Sequence, residues 1–288
     1  MKLRIEDFIK YLEVENNRLN LLAIKELIAS MDKKGLIDKK KQQIIFDEEL
    51  FNKVWNIYYE GLEHYDVNYN RKEDLKTYFT YLLENVLEGK KTNYFALFCP
   101  GYTDNGYKPR LGHTTIWKLE ELDELMKFYE EKGLKSNLIS CYSDVFLENT
   151  NYEKNSNWEE ELDYNRKLFH EEANKYFPKE KVINASDLSI FKGKENIEGF
   201  IDKDIIDNTR KKIYKSILIS NKKFYDKLGF TEEEMIFRND RLITMYKILS
   251  DYLNEQENMV FLPMENMYER ENIFSENKTC TMYLKLKK

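Results

Sequence analysis

The residues of this chain best suited to chemistry fall between Phe95 and Asn151. The stretch Pro100-Gly101-Tyr102-Thr103-Asp104-Asn105-Gly106-Tyr107-Lys108-Pro109-Arg110-Leu111-Gly112 holds three of the ten glycines and two of the four prolines, far more than an even spread would place there. That enrichment marks a chain shaped by turns. A long loop inside a compact domain tends to be functional. Lys108 and Arg110 bring positive charge, and an arginine clamps a carboxylate or phosphate through two parallel hydrogen bonds. His113 follows the loop and suits proton transfer near neutral pH. Thr114 and Thr115 suit capping of the next helix or a hydrogen bond to a ligand. The plainer account is a structural connection in which Gly and Pro only shape turns and His113 is a cap or a packed ring. The loop has neither the Walker A pattern nor the dinucleotide glycine fingerprint.

Ser143-Asp144 is the second candidate, at the end of a strand-like run. A carboxylate there can hold a substrate amine or act as a base. An ordinary turn or helix-cap aspartate is the competing account, and Ser143 shares both. Arg238-Asn239-Asp240-Arg241 is a dense polar cluster that suits a salt-bridged helix face or a ligand contact. His64 and His170 stand alone, and Cys99, Cys141 and Cys280 have neither zinc nor disulfide spacing, so no metal and no cofactor is expected.

Elements of both periods must position these residues. Leu50, Phe51, Val54, Ile57 and Tyr58 recur at helical spacing, as do Leu75, Tyr78, Phe79, Leu82, Val86 and Leu87, with Gly89 as a stop. Ile5, Phe8, Ile9 and Leu12 give an earlier helix, so residues 1–90 read as an N-terminal helical subdomain. At Thr92 the character changes. Tyr94-Phe95-Ala96-Leu97-Phe98-Cys99 reads as a strand buried on both faces. A helix marked by Trp117, Leu119, Leu122, Leu125, Met126 and Tyr129 follows, stopping at Gly133, and then a strand at Leu138-Ile139-Ser140-Cys141-Tyr142. That order is βαβ, a parallel pair with a right-handed crossover. A helix over 158–176 leads to a strand at Val182-Ile183-Asn184-Ala185. Helices over 203–228 and 231–254 come next, with closing strands at Met259-Val260-Phe261-Leu262 and at Thr281 to Leu286. Residues 91–288 thus read as a Rossmann-like three-layer α/β domain with a mostly parallel sheet and helical insertions. The Pro100 to Gly112 loop then sits just past the carboxyl end of a buried strand, where open parallel sheets bind ligands, and ahead of a helix whose first amides suit an anion.

Composition bounds the partners. The 288 residues are 42% apolar and 34% charged, a globular balance, and the net charge of −6 removes composition-level support for nucleic acid. No stretch approaches the apolar length of a membrane span, and residues 1–18 are too charged for a secretory signal, so a cytoplasmic location is expected. The expected partner is an anionic small molecule such as an amino acid or a sugar phosphate.

From Phe98 to Asn149 the sequence resembles the central part of the bacterial and fungal isocyanide (isonitrile) synthases. The resemblance rests on Pro100, Asn105, Lys108, Leu111-Gly112, a helix bearing Glu120 and Leu122, and Ser143-Asp144 with Phe146. Met235-Ile236 with Arg238-Asn239 is a fainter echo. It departs in a loop one residue longer before Gly112, in Thr114-Thr115 where that family has Pro-Asp, in the absence of its Ser-Ile-His segment near Leu262, and in Val145 directly after Asp144. The resemblance implies an enzyme joining an aromatic amino acid to a pentulose phosphate and making an isocyanide from the amino nitrogen. Lys108 and Arg110 would hold phosphate with Asn105 in the same loop, Asp144 or Ser143 the amine, and His113 would move protons. The order of elements also resembles the cyclodipeptide synthases, which implies a tRNA-dependent aminoacyl transfer. Their serine nucleophile has no serine counterpart here, only Cys99, Tyr102 or Thr103. A third reading is a non-catalytic interaction or ligand-binding protein. Convergence of Lys108, His113 and Asp144 in one pocket would separate an enzyme from it.

Overall fold

The computed structural model describes residues 33, 37–38, 43–44, 48–69, 72–98, 101–102, 109–110, 113–145, 158–192, 229–264 and 279–286. In chain order the elements are β1 (Ile37–Asp38), β2 (Gln43–Ile44), α1 (Glu48–Gly61), β3 (Tyr65–Tyr69), α2 (Lys72–Glu88), β4 (Thr92–Phe98), β5 (Gly101–Tyr102) and β6 (Pro109–Arg110). They continue with α3 (His113–Glu131), β7 (Ser136–Tyr142), α4 (Trp158–Ala173), β8 (Val182–Asn184), α5 (Glu232–Asn254), β9 (Met259–Pro263) and β10 (Cys280–Leu286). The helices expected at Ile5 to Leu12 and over 203–228 lie outside the described residues.

The chain divides into two compact units. The first comprises Met1–Thr92, Lys127–Ser136 and Met282–Lys288. Its apolar positions at helical spacing are buried: Val54 and Ile57 on α1, and Tyr78, Phe79 and Leu82 on α2. Gly89 stops α2 in the left-handed region at φ 64°, where a side chain would be strained, and its N–H donates to the Asn85 carbonyl at 2.9 Å. Gly133 does the same after α3 at φ 76°. Asn85 is buried and bonds to Lys135 in both directions, Nδ2 donating to the carbonyl at 2.8 Å and Oδ1 accepting from the N–H at 2.9 Å. The buried hydroxyls of Tyr78 and Tyr129 hydrogen-bond each other.

Three strands of this unit fall in the stretch that reads as all helical: the two-residue pair β1 and β2, joined antiparallel as Ile37↔Ile44 and Asp38↔Gln43, and the longer β3. Tyr65-Asp66-Val67-Asn68-Tyr69 falls in the stretch that reads as all helical, yet it is a strand, β3, paired antiparallel with β10 from Tyr65↔Leu286 to Tyr69↔Met282. Its β-branched and aromatic residues alternate with Asp and Asn, but five residues are too few for the pattern to outweigh the long helices on either side. A partner strand at the other end of the sequence decided it.

The second unit, Asn93–Met126 with Asn137–Thr281, holds a five-stranded parallel sheet in the order β10-β9-β4-β7-β8, an α/β Rossmann-like arrangement. β4 and β9 run in register from Asn93↔Met259 to Leu97↔Pro263, and β7 and β8 from Ser140↔Val182 to Tyr142↔Asn184. β4 and β7 are tied near both ends: Asn137 Nδ2 donates to Asn93 Oδ1 at 3.2 Å, and the Ser143 N–H to the Phe98 carbonyl at 2.8 Å. Both strands ascend together, so the pair is parallel, as the βαβ order requires. β4 is buried almost throughout, which is why its sequence is a continuous apolar run and not an alternating one. Phe98 and Tyr142 both meet the ring of Phe169, with centroids 5.4 and 5.2 Å apart, which seats α4 on their face of the sheet. α5 begins at a capping box: Thr231 Oγ1 accepts from the Glu234 N–H at 3.2 Å, and the Glu234 carboxylate accepts from the Thr231 N–H at 2.7 Å.

Candidate functional site

The strand order locates the site. The chain lays down β4, then β7 and β8 outward to one side, and then returns to the other side of β4 for β9 and β10. The reversal falls between β4 and β9, and ligands of open parallel sheets bind outside the carboxyl ends of the strands at such a point. The Met264 N–H donates to the Leu97 carbonyl at 3.0 Å, closing the backbone between these two ends.

The glycine- and proline-rich stretch follows β4 in the chain, and its described residues form two short paired strands. β5 pairs antiparallel with β6, Gly101 opposite Arg110 and Tyr102 opposite Pro109, so the backbone of Arg110 returns to within a few residues of the end of β4. β6 also lies beside α4. His113 and Thr114 are in the first turn of α3, which carries no acidic residue there to offset its amide dipole. Asn105 and Lys108 lie outside the described residues. Arg238 is on α5, in its second turn. Its neighbours Asp240 and Arg241 are buried, and the Arg241 guanidinium lies 5.4 Å from the Phe237 ring centroid.

Ser143 and Asp144 follow β7 at the same edge, and both are fully buried. Ser143 is held through its backbone by Phe98, while its hydroxyl has no hydrogen-bond partner. The hydroxyls of Ser140 on β7 and Thr281 on β10 are also buried without a partner, and what sets Ser143 apart is its place at the carboxyl end of its strand, where a water, an ion or a ligand can complete it. Asp144 is the opposite case. Its Oδ1 accepts from the Ser186 N–H at 3.0 Å, and its Oδ2 accepts from Arg166 Nε at 2.8 Å and from the Ser186 hydroxyl. Arg166, on α4, is 25% exposed and also donates from Nη1 to Asp163 Oδ1 at 2.9 Å. A buried carboxylate needs a counter-charge and donors for its lone pairs, and this one has both.

Sequence reasoning did not find Arg166, Ser186, or the link between His170 Nε2 and Asn184 Oδ1 at 3.1 Å. Arg166 is one more charge on a helix already rich in charge. Ser186 belongs to a short 3-10 turn, Ala185–Asp187, whose position depends on the pairing of β8. His170 stands alone in sequence because its partner comes from a different segment. Their spacing, four residues apart on α4, places Arg166 and His170 on one side of that helix. Among the described residues no group of His, Cys, Asp or Glu has the makings of a metal site, and no helix is long and apolar enough to cross a membrane.

A parallel sheet with its strand-order reversal at β4, and buried polar residues at the carboxyl end of the adjoining β7, define an α/β protein of Rossmann-like fold with a candidate ligand site at the carboxyl edge. Neither a known protein-family profile nor a curated protein matches the sequence. Solved structures similar to this one include a CDPS from Staphylococcus haemolyticus, at 11% identity and a TM-score of 0.46, covering 78% of this chain and 99% of that one. The PvcA protein from Pseudomonas aeruginosa is similar at 12% identity and a TM-score of 0.46, covering 81% and 83%. A tryptophanyl-tRNA synthetase from Encephalitozoon cuniculi, bound to tryptophan, is similar at 10% identity and a TM-score of 0.42, covering 91% and 69%. At such identities no residue's role passes from these proteins to this chain.

Proposed function

We propose that this chain is a small-molecule biosynthetic enzyme whose carboxyl-edge site takes an aromatic amino acid and a pentulose phosphate and makes an isocyanide from the amino nitrogen. The observation that carries the reading is Ser143: a buried hydroxyl without a hydrogen-bond partner, at the carboxyl end of β7 and bonded through its N–H to Phe98, the last residue of β4, after which the Pro100 to Gly112 loop begins. The stretch containing both is also the one that resembles the isocyanide synthases. In this reading Ser143 meets the amine, with Asp144 behind it as its neighbour in the chain. Lys108 and Arg110 hold the phosphate, with Asn105 and Thr114 as hydrogen-bonding partners, His113 moves protons, and Arg238 is a further substrate contact. Positive side chains on a loop ahead of a helix N-terminus suit an anion.

The test is a thermal-shift panel on the purified protein and on the double variant Lys108→Ala/Arg110→Ala, with tyrosine, tryptophan, ribulose 5-phosphate and bulk tRNA. Stabilisation by the sugar phosphate that the double variant loses supports the reading, and mass spectrometry of a reaction with both substrates then looks for the isocyanide. No response to the sugar phosphate or to either amino acid overturns it. A response to tRNA alone would point instead to a tRNA-dependent aminoacyl transfer.

A further inference from the structure

Ser143 has its backbone fixed on one side by β4 and is followed directly by Asp144, whose carboxylate is fixed on the other. The two oxygens of Asp144 accept three hydrogen bonds, from donors on two different segments: Arg166 on α4, and the N–H and hydroxyl of Ser186 in the turn after β8. An ionised carboxylate offers about four acceptor positions, so most are occupied, one of them by a guanidinium. A carboxylate so engaged has little left with which to take a proton from, or grip, an incoming amine. What it does is tie the ends of β7 and β8 to α4. The partnerless hydroxyl beside it is then presented in one place.

We propose that Arg166 is a positioning residue of this site: with Ser186 it locks Asp144, and the locked Asp144 fixes the Ser143 hydroxyl as the group that meets the substrate. Asp144 is thereby an anchor and Ser143 the contact. This assignment rests on the proposed function only for the identity of the substrate. The lock itself is a property of the three segments.

Two measurements on the full chain test it. The first is hydrogen exchange read by mass spectrometry over residues 136–145 and 182–190, in wild type, Arg166→Met and Arg166→Lys. Loss of a charge-assisted bond should lower protection of the Ser186 and Ser143 amides about tenfold or more in Arg166→Met. Arg166→Lys should restore part of it, and the α1 and α2 amides should keep theirs. The second is calorimetric titration with tyrosine and with ribulose 5-phosphate. Arg166→Met and Ser143→Ala should each weaken tyrosine binding about tenfold, and the double variant should be no weaker than Ser143→Ala, because both act through one hydroxyl. A merely structural arginine would lower stability without that non-additivity. Unchanged protection at Ser186 in Arg166→Met, or fully additive losses of tyrosine affinity, overturns the proposal. If Arg166→Met does not fold, Asp144→Asn takes its place in both measurements. If wild type binds neither probe, the proposed function falls, and the exchange data alone decide the lock.

Discussion

The polar tie in the first unit and the polar edge of the second use similar parts to different ends. Asn85 is buried, and both ends of its amide are satisfied by the backbone of Lys135, with Thr92 Oγ1 a further acceptor at 3.3 Å. The Thr92 N–H in turn donates to the Lys135 carbonyl at 2.9 Å. That is a closed network, which holds Asn85 of α2 to Thr92 and Lys135 within the same unit. At the edge of β7 the Asp144 lock is equally complete, yet the residue before it, Ser143, is buried with its hydroxyl unsatisfied. A closed network adds rigidity, whereas one open group beside a closed network marks where a ligand can complete the structure.

The largest expected effect is that of Asp144→Ala, which removes the buried acceptor of Arg166 Nε and of two Ser186 donors. It should lower stability to urea by on the order of 3 kcal/mol, as for a buried pair stripped of one partner. A loss near zero would mean that water replaces the lock, and the contrast with Asn85 would be lost. Asn85→Leu keeps the volume but abandons the Lys135 N–H and carbonyl, and should cost about 2–3 kcal/mol by the same measurement. Gly61 tests packing without polarity. A Cβ there would lie 2.9 Å from Tyr129 Cε1 and 3.0 Å from Phe128 Cε1, so Gly61→Ala should destabilise by about 1–3 kcal/mol despite alanine's better helix propensity.

Ser143→Ala sharpens the comparison most directly. It removes no hydrogen bond within the protein, so stability should stay within about 0.5 kcal/mol of wild type while tyrosine binding weakens. A clear loss of stability would show that the hydroxyl is already committed to the fold. The smallest effect concerns Glu121 on α3, whose carboxyl is raised above its ordinary value by burial and by Glu124 and Glu120, with Lys118 opposing. The folded chain therefore keeps this proton to higher pH than the unfolded chain does. The associated stability is full in acid and declines as pH rises from the unfolded value through the raised folded one. Glu121→Gln should remove that decline, giving a slightly higher melting temperature than wild type at neutral pH and no advantage well below the carboxylate range.

Much of the architecture could be read locally. The buried run in β4, the helical spacing of α1 and α2, the glycine stops at Gly89 and Gly133, and the Thr231 capping box each depend on neighbours within a few residues. The site was half legible. Ser143 and Asp144 stood out as candidates because a polar pair at the end of an apolar strand is conspicuous. The engagement of Asp144 was not, since Arg166 comes from the following helix and Ser186 lies 42 residues further along.

What the sequence by itself determined was the type and order of most elements, because periodicity, turn chemistry and capping are short-range. Tertiary structure alone decided that Tyr65–Tyr69 is a strand, that the strand order reverses beside β4, and that Asp144 is locked while Ser143 is left open. Each of those depends on pairing between distant segments. A chain can encode such pairing only through the total balance of burial and hydrogen bonding, and no local pattern records it.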